Sequence, residues 1–407
     1  MVKTNESTMN LERTNKKALF SLALGGFGIG LTEFVIMGIL TEVSDALEIT
    51  ISQAGHFIAA YAFGVVVGAP LLTSLGSKLS PKRMLFILMV WFTLFNTLSG
   101  LSTNYVTLLL LRFLSGIPHG AFFGIGAVVA MKLARKGKSA QAIAMMFSGL
   151  TVANVIGVPI GTYIGQEFGW SMSFFLVGVV GILTLTTLQF WMPQMEAATN
   201  TPQVKLSEAL RNKQLWAMIA LTTIGTGGFF AWYSYIAPLI TDVAGLEDHY
   251  VGYAMMLAGL GMVFGNFVGA KMAEVFSPLR AVIISLSVMS IVLVINMFIA
   301  SNPYILMVFT FLIGAIAFTV STPIQMAIIN TAKGSEMLGS SMNQSAFNMG
   351  NASGAYLAGL PMVFGLEVIY SSLVGGILAA SGVILAIAIY LYRKQQIGKS
   401  NKVAVPS

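Results

Sequence analysis

Twelve apolar runs, separated by short polar loops, constrain this chain more than any other feature of it. They fall at roughly 18–41, 52–75, 83–101, 105–131, 140–165, 171–192, 215–241, 250–272, 280–300, 304–332, 339–364 and 367–392. Each is long enough to cross about 30 Å of hydrocarbon as a helix. In hydrocarbon every backbone N–H and C=O must find its partner inside the protein, which favours helices over any open arrangement of strands. The expected fold class is an all-α membrane protein with twelve transmembrane helices. Only 9% of the 407 residues are charged, against about a quarter in an ordinary soluble domain. Cysteine is absent, which removes disulfides and thiolate metal sites. The first run, from Ala18, is too long for the core of a secretory signal and lacks a small-residue cleavage site after it, so it is expected to stay as a span.

The loops sort their charges by side. Lys3, Arg13, Lys16 and Lys17 precede span 1; Lys78, Lys82 and Arg83 follow span 2; Lys132, Arg135, Lys136 and Lys138 follow span 4. Lys205, Arg211 and Lys213 lie in the central loop, Lys271 and Arg280 after span 8, and Lys333 after span 10. Arg393, Lys394, Lys399 and Lys402 end the chain. All but one of the 22 Lys and Arg therefore sit on one side of the crossings. The other side carries acids: Glu42, Asp45, Glu48, Glu167, Glu247, Asp248 and Glu367. Cationic loops stay in the cytoplasm, so both termini are expected there, with the protein multi-pass in a bacterial inner membrane. The net charge of +7 is then a topology signal, and no nucleic-acid partner is expected.

The only long polar stretch between spans, about 193–214, divides the chain into an N-terminal bundle at 1–192 and a C-terminal bundle at 215–407. Within this linker Ser207 is placed to cap a short interfacial helix, though a solvated connector reads equally well. The two halves echo each other. A shift of 197 residues lays Gly55, Gly64 and Gly68 on Gly252, Gly261 and Gly265, and Ser80, Pro81 and Arg83 on Ser277, Pro278 and Arg280. A shift of 193 lays Gly157, Gly161 and Tyr163 on Gly350, Gly354 and Tyr356. Repeats of six spans are a transporter architecture, with substrate held near the midplane between the halves.

Three segments carry a family resemblance: "RFLSGIPHGAFFGIGAVVA" in span 4, "SGLTVANVIGVPIGTYIGQEFGW" in span 5 and "GLTEFVIMGIL" in span 1. They resemble the major facilitator superfamily, and within it bacterial drug:proton antiporters of the arabinose-efflux-permease type. The resemblance implies two pseudo-symmetric six-helix bundles that rock about a central cavity, and export driven by protons. It also makes Gly149, Gly157, Pro159 and Gly161 of span 5 an antiporter motif and a bending element; close helix packing alone is the other reading. The loop after span 2 departs from the family. It reads "LGSKLSPKRM", with Lys82 and Arg83 but no acid, whereas the loop after span 8, "GAKMAEVFSPLR", keeps Glu274 ahead of Arg280.

The remaining cation, Arg112, lies inside span 4, and Glu33 lies inside span 1. Counting helical rise places Glu33 about 22 Å and Arg112 about 20 Å from the basic side, one level in one bundle. Ionisable groups inside a membrane are expensive and mark function by default. Two readings stand side by side: a permanent buried pair that fixes packing, or a proton carrier at Glu33 with Arg112 holding its ionised form or pairing with substrate. His119, two helical turns after Arg112, is placed either to relay protons or to pack.

Gln344, Asn348 and Asn351 repeat on one face of span 11, with Asn343 beside them. Such a stripe avoids lipid and lines a cavity or bonds neighbouring helices. Trp232 and Tyr233 of span 7 are expected either to stack on substrate or to form an interfacial belt. Gln325 in span 10 is a further lining candidate. No H-E-x-x-H, G-x-S-x-G or P-loop occurs, so neither an enzyme nor a cofactor is expected. The function expected is secondary active transport, proton-coupled efflux of a small organic solute such as a sugar or drug, by a monomer. Import of a sugar or nucleoside by a uniporter or symporter is the alternative.

Overall fold

A computed structural model describes residues 2–196, 211–247 and 249–403. The twelve runs become helices: α1 Val2–Gly38, α2 Ile51–Leu75, α3 Pro81–Ser99, α4 Tyr105–Leu133, α5 Ser139–Phe168 and α6 Ser171–Trp191. The second half follows as α7 Lys213–Tyr233, α8 His249–Phe276, α9 Pro278–Ile299, α10 Pro303–Thr331, α11 Glu336–Val363 and α12 Tyr370–Val403. Ten of these are long and apolar enough to cross a membrane by length and composition alone. The two others fall short for visible reasons. α3 has only 19 residues and opens on Lys82 and Arg83, and α11 is diluted by the serines and amides of "GSSMNQSAFNMGNASG". The position suggested for a cap, Ser207, lies outside the described residues.

Side-chain chemistry sets the helix ends. Asn104 caps α4 by accepting from the Thr107 N–H at 2.9 Å, and Thr50 and Gln53 form a reciprocal capping box at the start of α2. The expected span at 215–241 does not run through. α7 stops at Tyr233, and a short turn and a π-helical turn, Leu239–Val243, follow. Pro238 has no N–H to give back to the preceding turn, which ends the regular helix.

The helices form two bundles with matching internal contacts. α1 packs on α5 and α6 as α7 packs on α11 and α12; α2 lies on α4 as α8 lies on α10. The repeated glycines explain the last pair. A side-chain carbon at Gly64 or Gly68 would run into the backbone of α4 at Phe113 and Ile117, and one at Gly261 or Gly265 into that of α10 at Phe311 and Ala315. Gly55 and Gly252, equally repeated, face open space. One core gathers around Phe92, Phe122, Phe123 and Met146. The second bundle has a core around Leu286 and Ile328 and another around Trp232 and Leu293.

The bundles meet where α11 lies against α2 and α4, and α8 against α5. Among the described residues, the identified hydrogen bonds between the halves all lie toward the basic end. Thr73 Oγ1 donates to Ser341 Oγ at 2.7 Å, and Ser345 Oγ donates to the Val66 carbonyl at 3.0 Å. Asn266 Nδ2 donates to the Ala144 carbonyl at 2.7 Å. Nearest the basic surface, Glu274 meets Lys138 Nζ at 3.4 Å and accepts from the Gln141 backbone and side-chain amides.

Candidate functional site

A cavity of about 70 Å³ lies between the halves, deep in the apolar zone. Its polar wall consists of Glu33, His119, Ser321, Gln344, Asn348 and Asn351. Its apolar wall is built of Leu150 and five rings, Phe34, Phe147, Phe230, Phe318 and Phe347. Space of this size holds a few waters, well short of the roughly 300 Å³ or more that an organic ligand occupies. The conformation is therefore contracted around the site, and the hydrogen bonds identified between the halves lie on its basic side.

Glu33 is half-buried and reaches the cavity from α1. Its neighbour Thr32 points the other way and holds Arg112. The guanidinium, fully buried, donates from Nη1 to Thr32 Oγ1 at 3.0 Å and from Nη2 to the Thr32 carbonyl at 3.2 Å. Thr32 Oγ1 in turn donates to Asn96 Oδ1 on α3. The guanidinium carbon sits 4.4 Å from the Tyr61 ring centre and 5.6 Å from that of Phe174. The direct Glu33–Arg112 pair does not form: no ion pair joins them within 4.0 Å among the described residues. The reason is local. Adjacent residues on a helix point about 100° apart, so a cation bonded to residue 32 leaves the carboxylate of residue 33 free to face the cavity.

His119 is also buried, and its Nδ1 shares a 3.2 Å hydrogen bond with the Tyr61 hydroxyl. Tyr61 thus touches both the histidine and the arginine face. A polar chain runs from Arg112 across Tyr61 to His119, and His119 borders the same cavity as Glu33.

The amides divide by partner. Asn343 is fully engaged: its Nδ2 donates to Gln325 Oε1 at 2.6 Å, and its Oδ1 accepts from Thr222 Oγ1 at 2.6 Å. Gln325 also accepts from Gln344 Nε2 at 3.1 Å and donates to Ser340. These two amides tie α7, α10 and α11 together and do not line the cavity. Gln344, Asn348 and Asn351 do line it. Asn348 Oδ1 is buried without a protein partner, which leaves an acceptor at the cavity wall.

Trp232 and Tyr233 take neither position expected of them. Both are buried in the second bundle's core, with Tyr233 stacked on Phe229 at 5.0 Å between ring centres. The ring that α7 offers the cavity is Phe230, two positions before Trp232 and so on another face of the helix. It lay unmarked among "GGFFAWY" because periodicity shows which residues share a face but not which face turns inward.

The span 5 motif packs on its own bundle. Gly149, Gly157 and Gly161 face α1 at Ala23, Phe27 and Val35. Just ahead of Pro159 the helix widens into a π-helical turn, Ala153–Gly157, which absorbs the missing proline N–H. That turn presents Asn154 and Val155 to Gly259 of α8 in the other half. On the basic side, Lys82 Nζ donates to the Gln189 and Met192 carbonyls at the end of α6, inside its own bundle. Arg83 is exposed. Glu274, by contrast, bonds across the halves, to Lys138 and Gln141. Arg280 donates to the Tyr390 hydroxyl of α12. Among the described residues no cluster of His, Asp and Glu is fit to hold a metal ion.

Residues 22–355 match the model of the Major Facilitator Superfamily. AraJ of Escherichia coli (strain K12) is 38% identical over 391 residues, covering 96% of this chain and 99% of that one. The inner membrane transport protein YdhP of the same strain is 38% identical over 380 residues, covering 93% of this chain and 96% of that one. Among solved structures, the human organic anion transporter MFSD10 superposes with a TM-score of 0.74 at 12% identity, covering 91% of this chain and 99% of that one. The Escherichia coli fucose:proton symporter FucP superposes with a TM-score of 0.69 at 13% identity, over 91% and 98% of the two chains.

Proposed function

The chain belongs to the Major Facilitator Superfamily, and from that premise we propose that it is a proton-coupled exporter of a small organic solute, working by alternating access. The observation that carries the proposal is the position of Glu33. The one acid within the apolar spans opens on the cavity between the halves, beside the free amide oxygen of Asn348 and phenyl rings, while the one intramembrane cation is bonded elsewhere. A carboxyl group there meets solute and proton at the same place. Burial favours its neutral form and hydration its ionised form, so access to one side or the other loads or unloads it.

In this proposal Glu33 carries the proton, Arg112 and His119 shape the field around it through Tyr61, and Gln344, Asn348, Asn351 and Phe230 contact the solute. Residues 1–192 and 215–407 move as two bodies about the linker at 193–214. Both termini face the cytoplasm of a bacterial inner membrane, and the unit is a monomer. With that orientation, the bonds joining the halves at the basic end make this conformation closed toward the cytoplasm.

The test is directional. The protein is reconstituted in vesicles of known orientation, a proton gradient is imposed, and a panel of sugars, nucleosides and drugs is followed. Antiport drives each accepted solute against the proton flow. If an inward proton gradient accelerates entry of the solute and never its exit, the reading changes to symport, the mode of the fucose:proton symporter FucP that shares the fold.

A further inference from the structure

The molecule has a second cavity, about 270 Å³, far from the central one. It lies at the basic end of the second bundle, where α9 begins and α10 and α12 leave the apolar zone. Ser277, Asn330, Tyr390, Arg393 and Lys394 line it, and Arg280 stands behind Tyr390. No role in transport by the central cavity uses these residues.

Their chemistry is one-sided. Arg280, Arg393 and Lys394 bring three cations together, and none has a carboxylate partner within 4.0 Å among the described residues. Arg393 is half-buried and fixed by a bond to Thr331 of α10. Arg280 Nε and Nη2 both donate to the Tyr390 hydroxyl, at 3.0 and 2.7 Å. The oxygen of Tyr390 is thereby occupied as an acceptor, and its own proton is left to donate. Asn330 and, at the start of α9, Ser277, Pro278 and Leu279 line the same hollow. Arginines held in place by bonds to Tyr390 and Thr331, with no carboxylate partner among the described residues, around a concave space suit a phosphate group. The surroundings add a second requirement. Phe276, Leu391 and Tyr392, close in sequence to the lining residues Ser277, Tyr390 and Arg393, are 47%, 51% and 51% exposed, and Ile384, two turns deeper on α12, is 70% exposed. A ligand that fits both has an anionic phosphate head and acyl chains.

We propose that this cavity binds the headgroup of an anionic phospholipid, phosphatidylglycerol in its chemistry, and so clamps α9, α10 and α12 together at the cytoplasmic leaflet. Basic pockets between helices at that level are where such headgroups bind. The proposal stands apart from the transport reading and survives or fails without it.

The experiment titrates dioleoyl-phosphatidylglycerol onto the purified full-length protein and counts retained lipids by native mass spectrometry. Dioleoyl-phosphatidylcholine and inorganic phosphate serve as comparison probes. The expected result is one phosphatidylglycerol retained more tightly than phosphatidylcholine. Arg280→Gln with Lys394→Gln weakens it, by roughly fivefold for each cation removed. Lys132→Gln with Lys136→Gln, which removes equal charge from the basic end of the other bundle, leaves it unchanged. Lys394→Gln alone alters an exposed side chain and guards against misfolding of the double variant. Equal weakening in both double variants, or none in either, overturns the proposal. So does displacement of the lipid by millimolar inorganic phosphate, which would make the site one for a soluble anion.

Discussion

Residue 32 and residue 33 divide the labour of one helical turn. Thr32 holds the cation through a hydroxyl and a carbonyl, and Glu33 faces the cavity. The two are separable by mutation. Glu33→Gln keeps shape and hydrogen-bonding capacity but cannot ionise. Proton-driven transport should fall roughly tenfold or more in that variant, while solute exchange without a gradient persists. Full proton-driven activity in reconstituted vesicles would remove Glu33 from the mechanism. Thr32→Val deletes an acceptor from a fully buried guanidinium. Bonds to charged groups contribute about 1.5–3 kcal/mol, so this variant should show a lower melting temperature in detergent. Its solute specificity should stay unchanged, since Thr32 does not reach the cavity.

At the scale of the element, the repeated glycines make a sharper prediction than the motifs do. Gly265 lets α8 touch α10 backbone to backbone, whereas Gly252, on the same helix and in the same repeat, faces open space. Gly265→Ala forces two helices apart and should cost about 1–3 kcal/mol. Gly252→Ala should fall within about 0.5 kcal/mol of the parent, as surface changes do. The comparison of the two by thermal unfolding separates repetition kept for packing from repetition without a contact. The π-helical turn at Ala153–Gly157 belongs to this scale too. It places Asn154 and Val155 against α8 and so extends the contact that the regular first part of α5 makes there through Gln141 and Ala144, while the glycines of α5 bind it to α1.

For the molecule as a whole, closure at the basic end depends on few bonds. Glu274, accepting from Lys138 and Gln141, is the outermost of them. Its counterpart loop after α2 supplies no acid, and Lys82 there serves its own bundle. A partly exposed pair contributes up to about 1 kcal/mol, so Glu274→Gln should shift the balance roughly fivefold toward opening at the basic end. The chain has no native cysteine, so paired spin labels on α2 and α11 can report that distance directly. An unchanged distance distribution in the variant would show that the deeper bonds, Thr73 to Ser341 and Asn266 to Ala144, suffice.

The twelve crossings, the sidedness of the cations and the six-plus-six repeat were legible in the chain itself, because hydrocarbon length, charge and glycine spacing are local properties that survive without coordinates. The two helices too polar to pass by composition alone, α3 and α11, were still readable as runs at 83–101 and 339–364. Glu33, His119 and the stripe of Gln344, Asn348 and Asn351 were likewise visible, since an ionisable or amide group inside a span has few inexpensive places to go. What the order of residues did not hold was azimuth, the direction each helix face turns once the bundles pack. Azimuth gave Arg112 to Thr32 rather than to Glu33, withdrew Trp232 and Tyr233 into the core, and brought Phe230 to the cavity. It also spent Gln325 and Asn343 on one another. Those outcomes are set by contacts between segments far apart in the chain, and only the packed structure contains them.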